Sequence, residues 1–145
     1  MPPKLPPFCK IYKAMNYSRK VTELVAFSLG MPDSLRGACA IGAVALHRTL
    51  SDWGIQAKLV VNIQGALGHV YVLYKPYVLD ITATQFGRKK ISIVPITKLK
   101  SNKNWVKSLH IFNTEDELIE HLIKIRWYPG ELPDKNLLSH FQNLV

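Results

Sequence analysis

The chain has 145 residues, 48 % of them hydrophobic, and carries a formal net charge of +9. That length fits one domain that buries about 70 % of its unfolded surface, and that composition argues against intrinsic disorder. No uninterrupted apolar run approaches the roughly 20 residues needed to cross a bilayer, so no membrane span is expected.

The N-terminus, Met1-Pro2-Pro3-Lys4-Leu5-Pro6-Pro7-Phe8, lacks the apolar core of a signal peptide and reads as an extended proline-rich arm over residues 1–15. The expected site of synthesis and folding is a cytoplasm, with a specialised secretion system as the remaining route of export. Ser18 is predicted to cap a first helix through Leu29, with Val21, Leu24, Val25 and Phe27 as its apolar face and Gly30 as its stop. Met31-Pro32-Asp33 is a turn signal. A second helix is predicted from about Ala38 to Trp53, where Ile41, Val44, Ala45 and Leu46 recur near helical spacing and Gly54 ends the run.

Lys58 to Ile63 is short and β-branched, hence a strand, and Gln64 to Gly68 is a glycine-punctuated loop. His69–Tyr74 and Tyr77–Thr82 are predicted as two strands joined around Lys75-Pro76, with Ile91–Val94 as a fourth before Pro95. Thr114-Glu115-Asp116-Glu117 has capping-box spacing, and Leu118, Ile119, Leu122 and Ile123 continue a helix behind it. Tyr128-Pro129-Gly130 breaks that helix, and Leu137–Leu144 forms a short closing one. No repeat or linker divides the chain. The expected class is α+β, one domain over residues 1–145, with helices packed on a small antiparallel sheet and a core at about 18–95.

The charge is unevenly placed. Between Asp80 and Glu115 no acidic residue occurs, while Arg88, Lys89, Lys90, Lys98, Lys100, Lys103 and Lys107 all fall there. Such a stripe serves as a solvated face or as a surface for an acidic partner such as a protein substrate, for nucleic acid or for anionic lipid. A nucleic-acid module interleaves aromatics with its charges, and only Trp105 lies among these, so nucleic acid is not the expected partner. A non-enzymatic basic binding module is the rival reading.

Cys9 and Cys39 give neither a metal spacing nor a disulfide framework, and no cofactor is expected. Cys39 falls in the predicted first turn of the second helix. A helix N-terminus favours a thiolate, the reactive form of the side chain, and its unpaired N–H groups suit a developing oxyanion. His69 opens the first arm of the predicted hairpin, directly after Gly68. Asp80 lies in the otherwise apolar second arm, where an unpartnered carboxylate is costly. If Lys75 and Pro76 form a two-residue turn, Tyr74 pairs with Tyr77 and Tyr71 with Asp80, which puts His69 and Asp80 on one face as diagonal neighbours. A three-residue turn puts them on opposite faces. His47 lies two turns inside the Cys39 helix, and His110, His121 and His140 have no matching partners; each reads as a surface or edge histidine.

These residues resemble a family. Gly37-Ala38-Cys39-Ala40 opening an alanine-rich helix, Trp53-Gly54-Ile55-Gln56-Ala57-Lys58-Leu59-Val60 after it, and Gly68-His69-Val70-Tyr71-Val72 followed by Val78-Leu79-Asp80-Ile81-Thr82 are similar to the transglutaminase-like branch of the papain-like superfamily. Asp80 to Phe86 also resembles small bacterial papain-fold toxins and effectors, several of which deamidate protein glutamines. The resemblance covers roughly residues 35–88 and implies a catalytic triad: Cys39 as nucleophile, His69 as general base and acid, and Asp80 as its orienter. It implies a thiol hydrolase acting on a protein or peptide amide, as glutamine deamidase or peptidase. A transglutaminase or acyltransferase with an amine acceptor is the alternative, with a faint likeness to arylamine acetyltransferases at Arg36-Gly37-Ala38-Cys39. The chain departs from the family in carrying Tyr71 where Trp is frequent, and the upstream oxyanion residue falls to Asn16 or Tyr17.

Overall fold

A computed structural model of the chain describes residues 8–28, 39–64, 67–82, 91–97 and 109–124. The predicted turn at Met31-Pro32-Asp33, the Arg36-Gly37-Ala38 approach to Cys39, the stretch from Ala83 to Phe86, every basic residue of the stripe from Arg88 to Lys107, the closing helix and His140 lie outside the described residues. Among the described residues the chain runs helix α1 (Phe8–Ser28), helix α2 (Cys39–Asp52), strands β1 (Lys58–Gln64), β2 (Leu67–Tyr74), β3 (Tyr77–Asp80), β4 (Ser92–Pro95) and β5 (Leu109–Phe112), then helix α3 (Glu115–Lys124). The five strands form one sheet in the order β4-β3-β2-β1-β5, every neighbouring pair antiparallel. The class is α+β, as expected. No described helix is long and apolar enough to cross a membrane.

Helix α2 is the centre of the fold. Its residues from Cys39 through Leu46 are all buried, because α1 covers one side and strands β1 and β2 the other. A helix apolar all round is stable only in such a position. Leu59, Val61, Val70, Val72 and Leu79 supply the sheet's share of that core, and Val60, Tyr71, Leu73 and Val78 form a smaller cluster of their own. Gly54 ends α2 at a φ of +79°, a left-handed conformation that glycine adopts without Cβ strain.

Helix α1 departs most from expectation. It begins at Phe8, so residues 8–15 are helix where an extended arm was predicted, and Ser18 is a mid-helix residue instead of a cap. Its predicted apolar face is right for Val21 and Val25, which pack against the core, and wrong for the other two. Leu24 and Phe27 are 72 % and 80 % exposed, whereas Ser18, Arg19, Thr22 and Ala26 are buried. Small and polar side chains line this contact because they bond across it: Ser18 Oγ donates to Thr49 Oγ1 at 3.0 Å, while Thr22 Oγ1 and Thr49 Oγ1 satisfy themselves on carbonyls of their own helices. Lys10 Nζ donates to the Trp53 carbonyl at 2.9 Å, so the N-terminal end of α1 lies beside the C-terminal end of α2 and the two helices are antiparallel.

The loop expected at Gln64–Gly68 is shorter than predicted, since the β1–β2 ladder runs on to pair Gln64 with Leu67. Strand β5 was not anticipated. It pairs with β1 through Leu59 to Asn62 and forms one edge of the sheet. At the start of α3, the Glu117 N–H donates to Thr114 Oγ1 at 3.2 Å, the predicted cap. Leu118, Ile119 and Leu122 of α3 are buried, and Arg48 ties α2 to it through a bidentate ion pair with Glu115 at 2.6 and 2.7 Å.

Candidate active site

The hairpin of β2 and β3 turns in two residues. Tyr74 pairs with Tyr77, Leu73 with Val78 and Val72 with Leu79, the Lys75–Pro76 peptide between them being cis. This register places His69 and Asp80 on one face as diagonal neighbours, and their side chains meet. His69 Nε2 donates to Asp80 Oδ2 at 2.6 Å, with both side chains largely buried. Cys39, in the first turn of α2 and 1 % exposed, lies close enough to the same imidazole to act on its charge. With Nε2 taken by the carboxylate, Nδ1 is the ring nitrogen left for the sulfur. The three residues singled out in the sequence thus form one chain of contacts, Cys39 to His69 to Asp80.

Asp80 is fixed from its other side. Its Oδ1 accepts the Thr82 backbone N–H at 2.9 Å and the Thr82 hydroxyl at 3.3 Å, so each carboxylate oxygen has a defined partner. Thr82, 1 % exposed, packs in turn against α2 at Gly42. A Cβ at Gly42 would lie 2.6 Å from Thr82 Cγ2 and 3.3 Å from Ile81 Cγ1. Only a glycine there lets the end of β3 approach the helix one turn beyond Cys39. Neither residue was singled out from sequence, though each leaves a trace. A glycine inside an alanine-rich helix costs about 0.5–1 kcal/mol against alanine and so marks a close approach, and Asp-x-Thr is a side-chain-to-backbone turn pattern.

The electrostatics follow from the contacts. Burial, the largest single influence on His69, pulls its pKa down, but the hydrogen bonds and charges of Asp80 and Cys39 override it and push it from 6.5 up to about 10. The imidazolium is therefore the folded-state form at neutral pH. A value raised by folding means that this charge contributes stability fully below about 6.5, and that the contribution is lost as pH rises through about 10. Melting temperatures of the wild type and His69→Gln, followed across that window, are expected to converge as pH rises. A difference that does not change with pH means that the pair is not charged.

The other candidates lie elsewhere. Cys9 is exposed, and it too sits in the first turn of a helix, so a helix start does not separate it from Cys39. What separates them is His69. Both thiols are free, with no disulfide between them. Asn16 and Tyr17 do not reach the site. Ser18, next to them, is level with Ala45 and Thr49, six to ten residues past Cys39, which at about 1.5 Å per residue is roughly 9–15 Å along α2. Because the helices are antiparallel, Asn16 and Tyr17 lie farther still. Tyr17 instead lines a cleft of about 690 Å³ with His47, Trp53 and Glu115, and none of Cys39, His69 and Asp80 borders it. His47 bonds the Ala57 carbonyl at 3.0 Å. His110 and His121 lie with ring centroids 4.7 Å apart beside Phe112, and burial followed by the charges of His110 and Lys124 hold His121 below the usual imidazole value. Among the described residues no group of three or more His, Cys, Asp or Glu side chains is arranged to hold a metal ion. Tyr71, at the position where the resembled family often has Trp, packs its ring 5.4 Å from that of His69.

No protein-family model matches the chain, and neither a curated protein nor a solved structure is significantly similar to it.

Proposed function

We propose that this protein is a cysteine-dependent amide hydrolase of papain-like, transglutaminase-like architecture, acting on a protein or peptide as glutamine deamidase or peptidase. The observation that carries this reading is the imidazole of His69 held between the Cys39 sulfur and the Asp80 carboxylate, with its Nε2 2.6 Å from Oδ2. A nucleophile at a helix start, a histidine and an aspartate on successive antiparallel strands are the parts that the resemblance implies. A buried ion-paired histidine in a purely structural role has no need of a thiol as its other partner.

The chemistry follows from the roles. Cys39, as thiolate, attacks the amide carbonyl carbon to form a tetrahedral oxyanion, which the unpaired N–H groups at the start of α2 stabilise. The oxyanion collapses, the C–N bond breaks, and the leaving nitrogen takes a proton from the His69 imidazolium. The neutral imidazole then removes a proton from water, whose oxygen attacks the thioester. The carboxylic acid leaves, and thiolate and imidazolium are restored. Asp80 holds His69 in the tautomer that keeps Nδ1 towards the sulfur and stabilises its positive form. With an amine in place of water, the same steps give transamidation.

Mass spectrometry of candidate acidic proteins after incubation with the wild type or Cys39→Ala tests this. The expected result is a modification absent from the variant: conversion of glutamine to glutamate for a deamidase, backbone cleavage for a peptidase, amine incorporation for a transglutaminase. A trapped thioester on Cys39 detected with a slow amide or ester substrate supports the same assignment. Equal product from wild type and Cys39→Ala refutes it.

A further inference from the structure

Arg19 is a cation with almost no exposure. It is 5 % exposed, on the face of α1 that packs into the molecule. Its Nε donates to Glu23 Oε1 at 2.9 Å one turn along the same helix, and its Nη1 donates to the carbonyl oxygen of Ile81 at 2.8 Å. Ile81 stands between the two residues that matter on this strand end, Asp80 and Thr82. Stability alone does not call for an arginine here, since burying a guanidinium costs several kcal/mol and an apolar side chain of similar volume commonly packs as well. A planar donor fork supplies something else: two bonds in fixed relative directions, one anchored to its own helix and one to a distant backbone oxygen. It thereby fixes the peptide that follows Asp80 relative to α1, while Gly42 fixes the same residues relative to α2.

We infer that Arg19 is a positioning residue of the site, holding the Ile81 carbonyl so that Asp80 meets His69 in bonding geometry. This rests on the triad reading, and it adds a residue from α1 that no sequence motif marks. Arg19 holds the carbonyl side of the Ile81–Thr82 peptide, and the Thr82 N–H of that same peptide donates to Asp80 Oδ1, so the two bonds fix one peptide unit from both sides. Three residues thus link Arg19 to the sulfur: Ile81, then Asp80, then His69. A strand end held only from the sheet side lacks this second point of attachment, because β3 ends at Asp80 and the Asp80–Ser92 pair with β4 is its last.

The test uses the full-length chain with isotopically labelled histidine, following the ring nitrogens of His69 by NMR as pH is varied in the wild type, Arg19→Lys and Arg19→Met. In the wild type, His69 is expected to remain protonated well above neutral pH with its proton on Nε2 retained. In folded Arg19→Met its titration is expected to move down by about one pH unit or more, as Asp80 loosens. Arg19→Lys, whose single ammonium can still reach the Ile81 carbonyl, is expected to recover part of that shift. A merely structural arginine would lower the melting temperature and leave the His69 titration where it was, and that outcome overturns the inference. So does failure of both variants to fold. A wild-type His69 that titrates near the ordinary imidazole value overturns the triad reading itself, which separates the two failures.

Discussion

Asp80→Asn is expected to leave the fold in place and reduce turnover by on the order of 10³–10⁴-fold. The amide is nearly isosteric with the carboxylate, and its Oδ1 can still accept the two Thr82 bonds. The change falls on the other atom. With its NH₂ group facing His69, the amide can only donate to Nε2, so the imidazole is driven to carry its proton on Nδ1, the nitrogen that has to face the sulfur. The negative charge that favours the imidazolium is lost in the same substitution, so His69 is expected to titrate below the value of about 10 that it has beside Asp80. Asp80→Ala should also lose activity, though without the wrong tautomer, and it should lose more stability, about 1–3 kcal/mol, because the bonds from Thr82 and His69 to the carboxylate are both removed. Turnover and melting temperature measured on the same preparations separate the two roles. Activity per folded molecule that survives Asp80→Asn makes Asp80 a structural carboxylate and ends the triad assignment.

Gly42→Ala is expected to have an effect on activity out of proportion to its effect on stability. Two opposing contributions set the stability change. Replacing glycine within a helix with alanine gains about 0.5–1 kcal/mol. Forcing a methyl group to within 2.6 Å of Thr82 Cγ2 costs about 1–3 kcal/mol in overpacking, so a net loss of roughly 0–2 kcal/mol follows. The atom that must yield belongs to the residue that holds Asp80 Oδ1, and the neighbouring contact, at 3.3 Å, is to Ile81. Relief therefore moves the end of β3 away from α2 and draws Asp80 and His69 from Cys39. A displacement of about 1 Å in such a constellation costs about 10²-fold in rate. If activity falls only in line with the folded fraction, the approach at Gly42 does not position the site. A Gly42→Ala, Thr82→Ser double variant removes the offending methyl and keeps the hydroxyl, and it should recover most of the loss.

The parts of this molecule that could be read in its sequence are those in which one local rule decides. The central helix carries its own stop at Gly54, and its uniform burial follows from an apolar run without a polar stripe. The β2–β3 register was legible because a two-residue turn at Lys75-Pro76 fixes the side-chain parity of both arms, and with it the face shared by His69 and Asp80. The cap at Thr114 was legible for a similar reason, its partner being three residues away.

The parts that could not be read depend on what lies across a gap in the chain. The proline-rich stretch before Phe8 carries no local signal for a helix there, and α1 is held by packing against α2, with Ile11, Ala14 and Met15 fully buried. Apolar periodicity placed Val21 and Val25 correctly but misassigned Leu24 and Phe27, which point outward while Ser18, Arg19 and Thr22 face the core. Ser18 and Arg19 are tolerated inside because partners arrive from other elements, Thr49 and the Ile81 carbonyl, 31 and 62 positions away, whereas Thr22 bonds the Ser18 carbonyl of its own helix. Strand β5 is a strand because the free edge of β1 offers it a ladder, not because of its own four residues. By itself the sequence determined the class of the fold, through the order of its elements, and the face that His69 and Asp80 share once the turn has two residues, through spacing and parity; it marked Cys39 by its place at a helix start and by the family resemblance. Only the tertiary structure decided that Arg19, Gly42 and Thr82 hold them together, because a hydrogen bond or a missing Cβ has meaning only once its counterpart from another element is in place.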